Sequence, residues 1–154
     1  MGGDDTTDRR RAYCDRLMPT DIDELFAAAK SVQEKAHAPY SRFRVGAALR
    51  TASGRVFSGC NVENAAYPQG SCAEAGAISA MVAAGEHAIV AVLTVCDGDA
   101  IGTCCGGCRQ RLREFATGDT PVYAAGPEGV RATFTLDELL PHSFGPEHLS
   151  EFQQ

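Results

Sequence analysis

The chain has 154 residues, about the length of one domain, so a single hydrophobic core is the default expectation. Hydrophobic residues make up 44% and charged residues 22%, with 16 Gly and 7 Pro, which excludes a low-complexity or collagen-like chain. Twenty acidic against fourteen basic side chains leave a formal charge of −6, and the longest apolar stretch, Ala88 to Cys96 with Thr94 inside it, is far short of the roughly 20 residues of a membrane span; a nucleic acid polymer and a membrane are both disfavoured as partners.

Residues 1–19 open with Met1-Gly2-Gly3-Asp4-Asp5-Thr6, lack the hydrophobic core of a secretory signal, and are expected to form a flexible tail on a cytoplasmic protein. From Thr20 to Ala36 the apolar residues Ile22, Leu25, Phe26, Ala29, Val32 and Ala36 recur at spacings of three and four. That period predicts a first helix, with Thr20 as its N-cap and Pro39 as its stop. Arg44–Leu49 and Val56–Val62 are short β-branched runs joined through Ser53-Gly54, which reads as a hairpin. Tyr67-Pro68-Gln69-Gly70 then breaks the chain. Cys72–Ala84, rich in Ala and closed by Gly85, predicts a helix that is apolar nearly all round and hence buried at the centre of the domain.

Ile89–Val95 is a continuous β-branched run, as expected of a strand covered on both faces. Cys108–Phe115 predicts a helix closed by Gly118, Pro121–Ala124 a strand, Arg131–Phe134 an edge strand, and Leu136–Leu140 a short helix ended by Pro141. This order describes an α/β fold, a mixed sheet with helices packed on it.

Seven cysteines are an odd number, and with no export signal they argue for metal binding or catalysis rather than a disulfide framework. Cys105-Gly106-Gly107-Cys108 is a Cys-x-x-Cys, and Cys72 lies in a second Gly- and Pro-flanked segment. Together they offer three thiolates to one tetrahedral Zn2+. His37, His87, His142 and His148 all fall outside both segments, so the fourth position is left to water, as in a catalytic site. Cys104 creates a second register, offset by one residue. Both cysteine segments precede or open a predicted helix, which would set the sulfurs at helix N-termini, where N–H groups and the macrodipole favour negative charge. Glu74, two residues after Cys72, falls in the first turn and can take a proton from water without being a ligand, the division of labour of zinc deaminases. Two plainer readings compete with this. Ser71-Cys72-Ala73-Glu74 is a Ser-x-x-Glu capping box, and Cys105 and Cys108 could be buried small residues or a redox pair.

The segments Phe43–Leu49, Gly59-Cys60-Asn61-Val62-Glu63-Asn64-Ala65-Ala66-Tyr67, Cys72-Ala73-Glu74, Cys105-Gly106-Gly107-Cys108-Arg109-Gln110 and Leu139-Leu140-Pro141 through Phe144 closely resemble the small homotetrameric zinc-dependent cytidine deaminases. The resemblance runs in order from about Thr20 to Leu149. It implies a three-layer α/β/α sandwich with a mixed five-stranded sheet, a catalytic domain over residues 20–149 and a C-terminal tail over 150–154. It also implies hydrolytic deamination of cytidine and 2′-deoxycytidine in pyrimidine salvage, with one Zn2+ per chain on Cys72, Cys105 and Cys108 and Glu74 as the catalytic carboxylate. Asn61 and Glu63 match the pair that holds the ribose hydroxyls, Phe43 an aromatic lining the nucleoside pocket, and Ala73 the backbone N–H that reaches the pyrimidine carbonyl. Tyr67 and Phe144 match aromatics contributed across subunit interfaces into a neighbour's pocket.

Two departures stand out. Cys104 replaces the usual Pro, and Ala75 replaces the Arg that usually follows Cys-Ala-Glu, removing a cation beside the cysteines; Arg109 is the nearest substitute in sequence. The alternatives are a blasticidin-S-type deaminase, an editing deaminase acting on polynucleotide, and a non-catalytic zinc-stapled module.

Overall fold

The computed structural model describes residues 19–152; the expected N-terminal tail, up to residue 18, and the last two residues of the expected C-terminal tail lie outside them. Helix α1, Pro19–Gln33, starts one residue before the expected Thr20 N-cap and stops three before Ala36. Proline suits a first helical position because its missing N–H would have no intrahelical partner there. The other end is set by Gln33, which is wholly buried. Its Nε2 donates to the Arg44 carbonyl at 3.0 Å and to Asp97 Oδ1 at 3.1 Å, and its Oε1 accepts from Lys30 Nζ at 2.9 Å. Lys35 and Ala36 then bond back three residues, to Val32 and Gln33, and His37 N–H leaves the helix for the carbonyl of Asn61.

Strands β1 (Val45–Thr51) and β2 (Val56–Cys60) form the expected hairpin, turning through Gly54 at φ 90°. Helix α2 is Ala73–Ala83, β3 is Ile89–Cys96, α3 is Gly106–Phe115, β4 is Pro121–Gly126, β5 is Gly129–Thr135 and α4 is Leu136–Leu139. Short 3-10 turns occupy Tyr67–Gln69 and Pro146–Phe152, the second running through the expected domain boundary at residue 149. The five strands lie in the order β2-β1-β3-β4-β5. β3 and β4 are parallel and all other neighbours antiparallel, so the sheet is mixed. Helix α3 starts at Gly106, two residues before the expected Cys108, and ends at the expected Phe115, with Ala116 rather than Gly118 as its C-cap. Two glycines are weak helix formers, which hides this first turn from a pattern of side chains.

Strand β3 is the spine. All eight of its residues are buried, and from Ala91 to Val95 alternate side chains serve opposite layers, the pairing with β1 shifting register before Ala91. Ala91, Leu93 and Val95 pack with Leu25 and Ala29 of α1, whereas Ile89 and Val92 pack with Ala77, Met81, Cys108 and Leu112 of α2 and α3. The result is the expected three-layer α/β/α arrangement. No helix among the described residues is long and apolar enough to cross a membrane.

Helix α2 departs from the expectation of burial all round. Ala73, Glu74, Ala77, Ile78 and Met81 are buried, but Ser79, Ala80, Val82 and Ala83 face outward and are exposed. Its C-terminus follows the sequence closely: Gly85 at φ 82° bonds to Val82 and Glu86 to Met81, a Schellman closure. Its seat on the sheet depends on Gly59. A Cβ there would stand 2.5 Å from Ala77 N and 2.6 Å from the Ala73 carbonyl, both backbone atoms of α2 that cannot swing aside. Gly59→Ala should therefore lift the N-terminus of α2, costing about 1–3 kcal/mol of stability and lowering zinc content; thermal unfolding and metal analysis of the purified variant check both.

Candidate active site

Three elements converge beneath one cavity. Cys72 is the N-cap of α2 and Cys105 the N-cap of α3, both with extended backbone, and Cys108 lies in the first turn of α3. Their ligand sulfurs all lie within 4.8 Å of one another, and the Cys72–Cys105 sulfur separation is 3.7 Å. Thiolates about 2.3 Å from a tetrahedral zinc stand about 3.8 Å apart, so the donor set fits one zinc ion in both chemistry and spacing. The register is Cys105 with Cys108, not Cys104, which is buried in the core beside Leu112. Burial pushes the Cys104 thiol up to about 11, leaving it protonated at neutral pH. Burial also raises Cys72 and Cys108. Burial would raise Cys105 as well, but the Cys108 N–H and hydrogen bonds with the Cys108 and Cys72 sulfurs outweigh it and hold this thiol below its ordinary value. A zinc ion held among the three sulfurs would favour the thiolate form of this raised pair.

Glu74 settles into the same place. It is 4% exposed, and its Oε1 accepts a hydrogen bond from Thr94 Oγ1 of β3 at 3.2 Å. No side chain caps α2, and the Ser71 hydroxyl reaches only the Cys72 carbonyl, so the capping box read from Ser71-Cys72-Ala73-Glu74 is not formed. The same signature at Thr135-Leu136-Asp137-Glu138 does form one, with Glu138 N–H donating to Thr135 Oγ1 and Thr135 N–H to Glu138 Oε2. What separates the two is where each helix begins: α2 is capped at Cys72, which leaves Ser71 before the cap and Glu74 at the second helical position, whereas Glu138 is the third residue after the Thr135 cap; Glu74 is then free to meet the buried hydroxyl of Thr94.

The cavity above, about 710 Å³, is lined by Phe43, Asn61, Glu63, Tyr67, Ala73 and Glu74, together with Cys72 and Cys105. Asn61 is also a structural clamp. Its Oδ1 accepts from Val45 N–H at 2.8 Å and its Nδ2 donates to the Phe43 carbonyl at 2.9 Å. Glu63 accepts from the Ser41 hydroxyl, from Tyr40 N–H at 2.9 Å and from Ser41 N–H at 3.2 Å, and the Ser41 hydroxyl is the chief reason its carboxyl is held below the usual range. Ala73 is the first residue of α2, so its N–H has no intrahelical acceptor. Tyr67 lines the cavity of its own chain and meets Tyr40 edge-on at 5.8 Å. Phe144 does not line that cavity; it is 56% exposed, stacks on His148 at 4.9 Å, and its carbonyl accepts from Gln110 Nε2.

Cytidine and deoxycytidylate deaminase zinc-binding region is the description of the family model that matches this chain, over residues 19–124. The chain belongs to that family. It is 40% identical over 130 residues to a cytidine deaminase of Sporosarcina psychrophila, covering 84% of this chain and 96% of the relative. A cytidine deaminase of Halalkalibacterium halodurans is 39% identical over 127 residues, covering 82% and 96%. Among solved structures, a cytidine deaminase from Burkholderia pseudomallei superposes with a TM-score of 0.74 at 41% identity, covering 79% of this chain and 98% of that one.

Two residues of this deaminase escaped the sequence reading. Thr94 carried a signal, being the one hydroxyl in an otherwise apolar buried strand. Arg111 carried one as well, its spacing of three residues from Cys108 on a predicted helix. The substitute for the missing cation at Ala75 is not Arg109, whose guanidinium is spent on the Cys104 carbonyl, Thr103 Oγ1 and the Leu139 carbonyl, tying the ligand loop to α4. Instead Arg111 Nη1 reaches Cys108 Sγ at 3.9 Å, one helical turn along α3. Three thiolates around a dication sum to −1, so a guanidinium on one sulfur offsets the excess, helped by the two helix N-termini. Arg111→Gln should release zinc several-fold faster to a competing chelator, while Cys104→Ala should keep one zinc per chain and Cys105→Ala should lose it; metal analysis and chelator competition distinguish the three.

Proposed function

We propose that this deaminase converts free cytidine and 2′-deoxycytidine to uridine and 2′-deoxyuridine with release of ammonia, a pyrimidine-salvage reaction. The observation that carries this reading is Glu74, a buried carboxylate turned away from helix capping and into the cavity that Cys72 and Cys105 floor. The cavity is of a size suited to a nucleoside.

Zinc on Cys72, Cys105 and Cys108 supplies the Lewis acidity that makes water a competent nucleophile near neutral pH. The chain's own residues do the rest. Phe43 packs against the nucleoside, Asn61 and Glu63 receive the sugar hydroxyls with lone pairs left over from their backbone bonds, and Ala73 N–H binds the pyrimidine carbonyl. Glu74 takes a proton from the attacking water and delivers it to ring N3, then takes the second proton from the new C4 hydroxyl and passes it to the departing 4-amino group, so the water oxygen ends on C4 as the carbonyl and ammonia leaves. One carboxylate thus serves as base and acid, and its burial beside Thr94 keeps bulk water from competing.

The working form in this reading is a cytoplasmic homotetramer, with residues 20–149 as the catalytic unit. The outward face of α2, with Ser79, Ala80, Val82 and Ala83, supports a subunit contact because small residues allow close approach. Phe144, exposed and outside its own cavity, suits closure of a neighbour's pocket. The six described cysteines form no disulfide, in keeping with a reducing compartment.

Glu74→Gln should be folded and zinc-loaded yet lose at least 100-fold in kcat on cytidine, measured by ammonia release; unchanged turnover would remove the proton-carrying role. Blasticidin S and single-stranded RNA assayed alongside should release no ammonia. Phe144→Ala should raise KM severalfold and weaken assembly, read by steady-state kinetics and sedimentation; full activity in a monomer would contradict the shared pocket.

A further inference from the structure

The middle strand of the sheet carries one buried hydroxyl on the layer that faces α2 and α3. Thr94 is 3% exposed, and its strand neighbours on that side, Ile89 and Val92, are packing residues. A buried hydroxyl needs a partner, and the one Thr94 has is Glu74 Oε1 at 3.2 Å, twenty residues away in sequence. Glu74 is the second residue of α2, in the first turn, where exposed backbone N–H groups and the helix dipole favour a carboxylate at the helix end. Here it turns inward, onto the strand.

We propose that Thr94 is the positioning residue of Glu74: its hydroxyl pins one carboxylate oxygen against β3 so that the other stays aimed at the reacting atoms. This rests on Glu74 being the proton carrier. Thr94 lines the same cavity, but it acts through Glu74 rather than on substrate. A glutamate side chain has several staggered rotamers open to it, and proton transfer works only from one that faces the cavity. A displacement of about 1 Å at such a group is enough to cost about 100-fold in rate. The strand fixes Thr94 tightly, because Thr94 is paired in register with Ala47 of β1 on one side and Ala124 of β4 on the other. The anchor is therefore more rigid than any loop hydroxyl could be.

Thr94→Val removes the hydroxyl while keeping shape and strand preference, and Thr94→Ser keeps the hydroxyl while removing a methyl. Holoenzyme of each variant is compared with wild type for zinc content, thermal unfolding midpoint, and kcat and KM on cytidine. We expect Thr94→Val to match wild type in zinc and unfolding, to hold KM within about twofold, and to lose 10- to 100-fold in kcat. Thr94→Ser should recover kcat to within about threefold. In a Glu74→Gln background, Thr94→Val should add no further loss, because the group it positions is gone. Wild-type kcat in Thr94→Val overturns the proposal, as does a serine variant no better than the valine. Wild-type turnover in Glu74→Gln alone would instead overturn the proton-carrier reading beneath it. Should Thr94→Val lose stability or zinc while Thr94→Ser keeps full kcat and a multiplicative loss appears in the double variant, the hydroxyl is a packing element and the proposal fails.

Discussion

The architecture of the site turns on how closely α2 can lie on the sheet. Gly59 of β2 faces the backbone of α2 at Ala73 and Ala77 with no room for a methyl group. That contact sets the height of the helix N-terminus, and the height sets everything attached to it. Cys72 meets Cys105 at 3.7 Å, and Glu74 meets Thr94 at 3.2 Å, only because the helix sits down on the strands. Interiors packed at crystal density transmit such displacements instead of absorbing them. A residue outside the cavity therefore governs distances inside it.

Electrostatics then decides what the convergence can hold. Three sulfurs gathered at two helix N-termini form a site that burial alone would keep protonated at Cys72 and Cys108. A bound dication would reverse that preference, and the helix ends together with Arg111 at Cys108 Sγ supply further compensating positive charge. This charge comes from α3, whereas the position after Cys-Ala-Glu on α2 is a plain alanine. The same function can be served from either helix because both ends point at the same sulfurs.

The polar residues at the cavity mouth serve two ends at once. Asn61 and Glu63 bind the backbone of residues 40–45, and through it they fix Phe43 at the cavity wall. A loop pinned by side chains that also line the pocket is shaped before any ligand arrives, which reduces the ordering cost of binding. Reading these residues as turn and clamp residues and reading them as pocket residues are therefore not opposed; the geometry accommodates both.

Local pattern in the sequence determined the elements and the ligand set. Threefold and fourfold apolar spacing marked α1, an unbroken β-branched run marked β3, Gly85 marked the end of α2, and the Cys-x-x-Cys with Cys72 marked the metal cluster, all features that depend on neighbours a few residues apart. Tertiary structure alone decided the rest. It brought Thr94 to Glu74, buried Gln33 against Arg44 and Asp97, spent Arg109 on the Leu139 carbonyl, left one face of α2 uncovered, and kept Phe144 out of its own chain's cavity. Most of these contacts join residues 11 to 64 apart in the chain. A Ser-x-x-Glu motif reads the same whether or not a buried hydroxyl waits across the interface, and only packing brings that hydroxyl within reach.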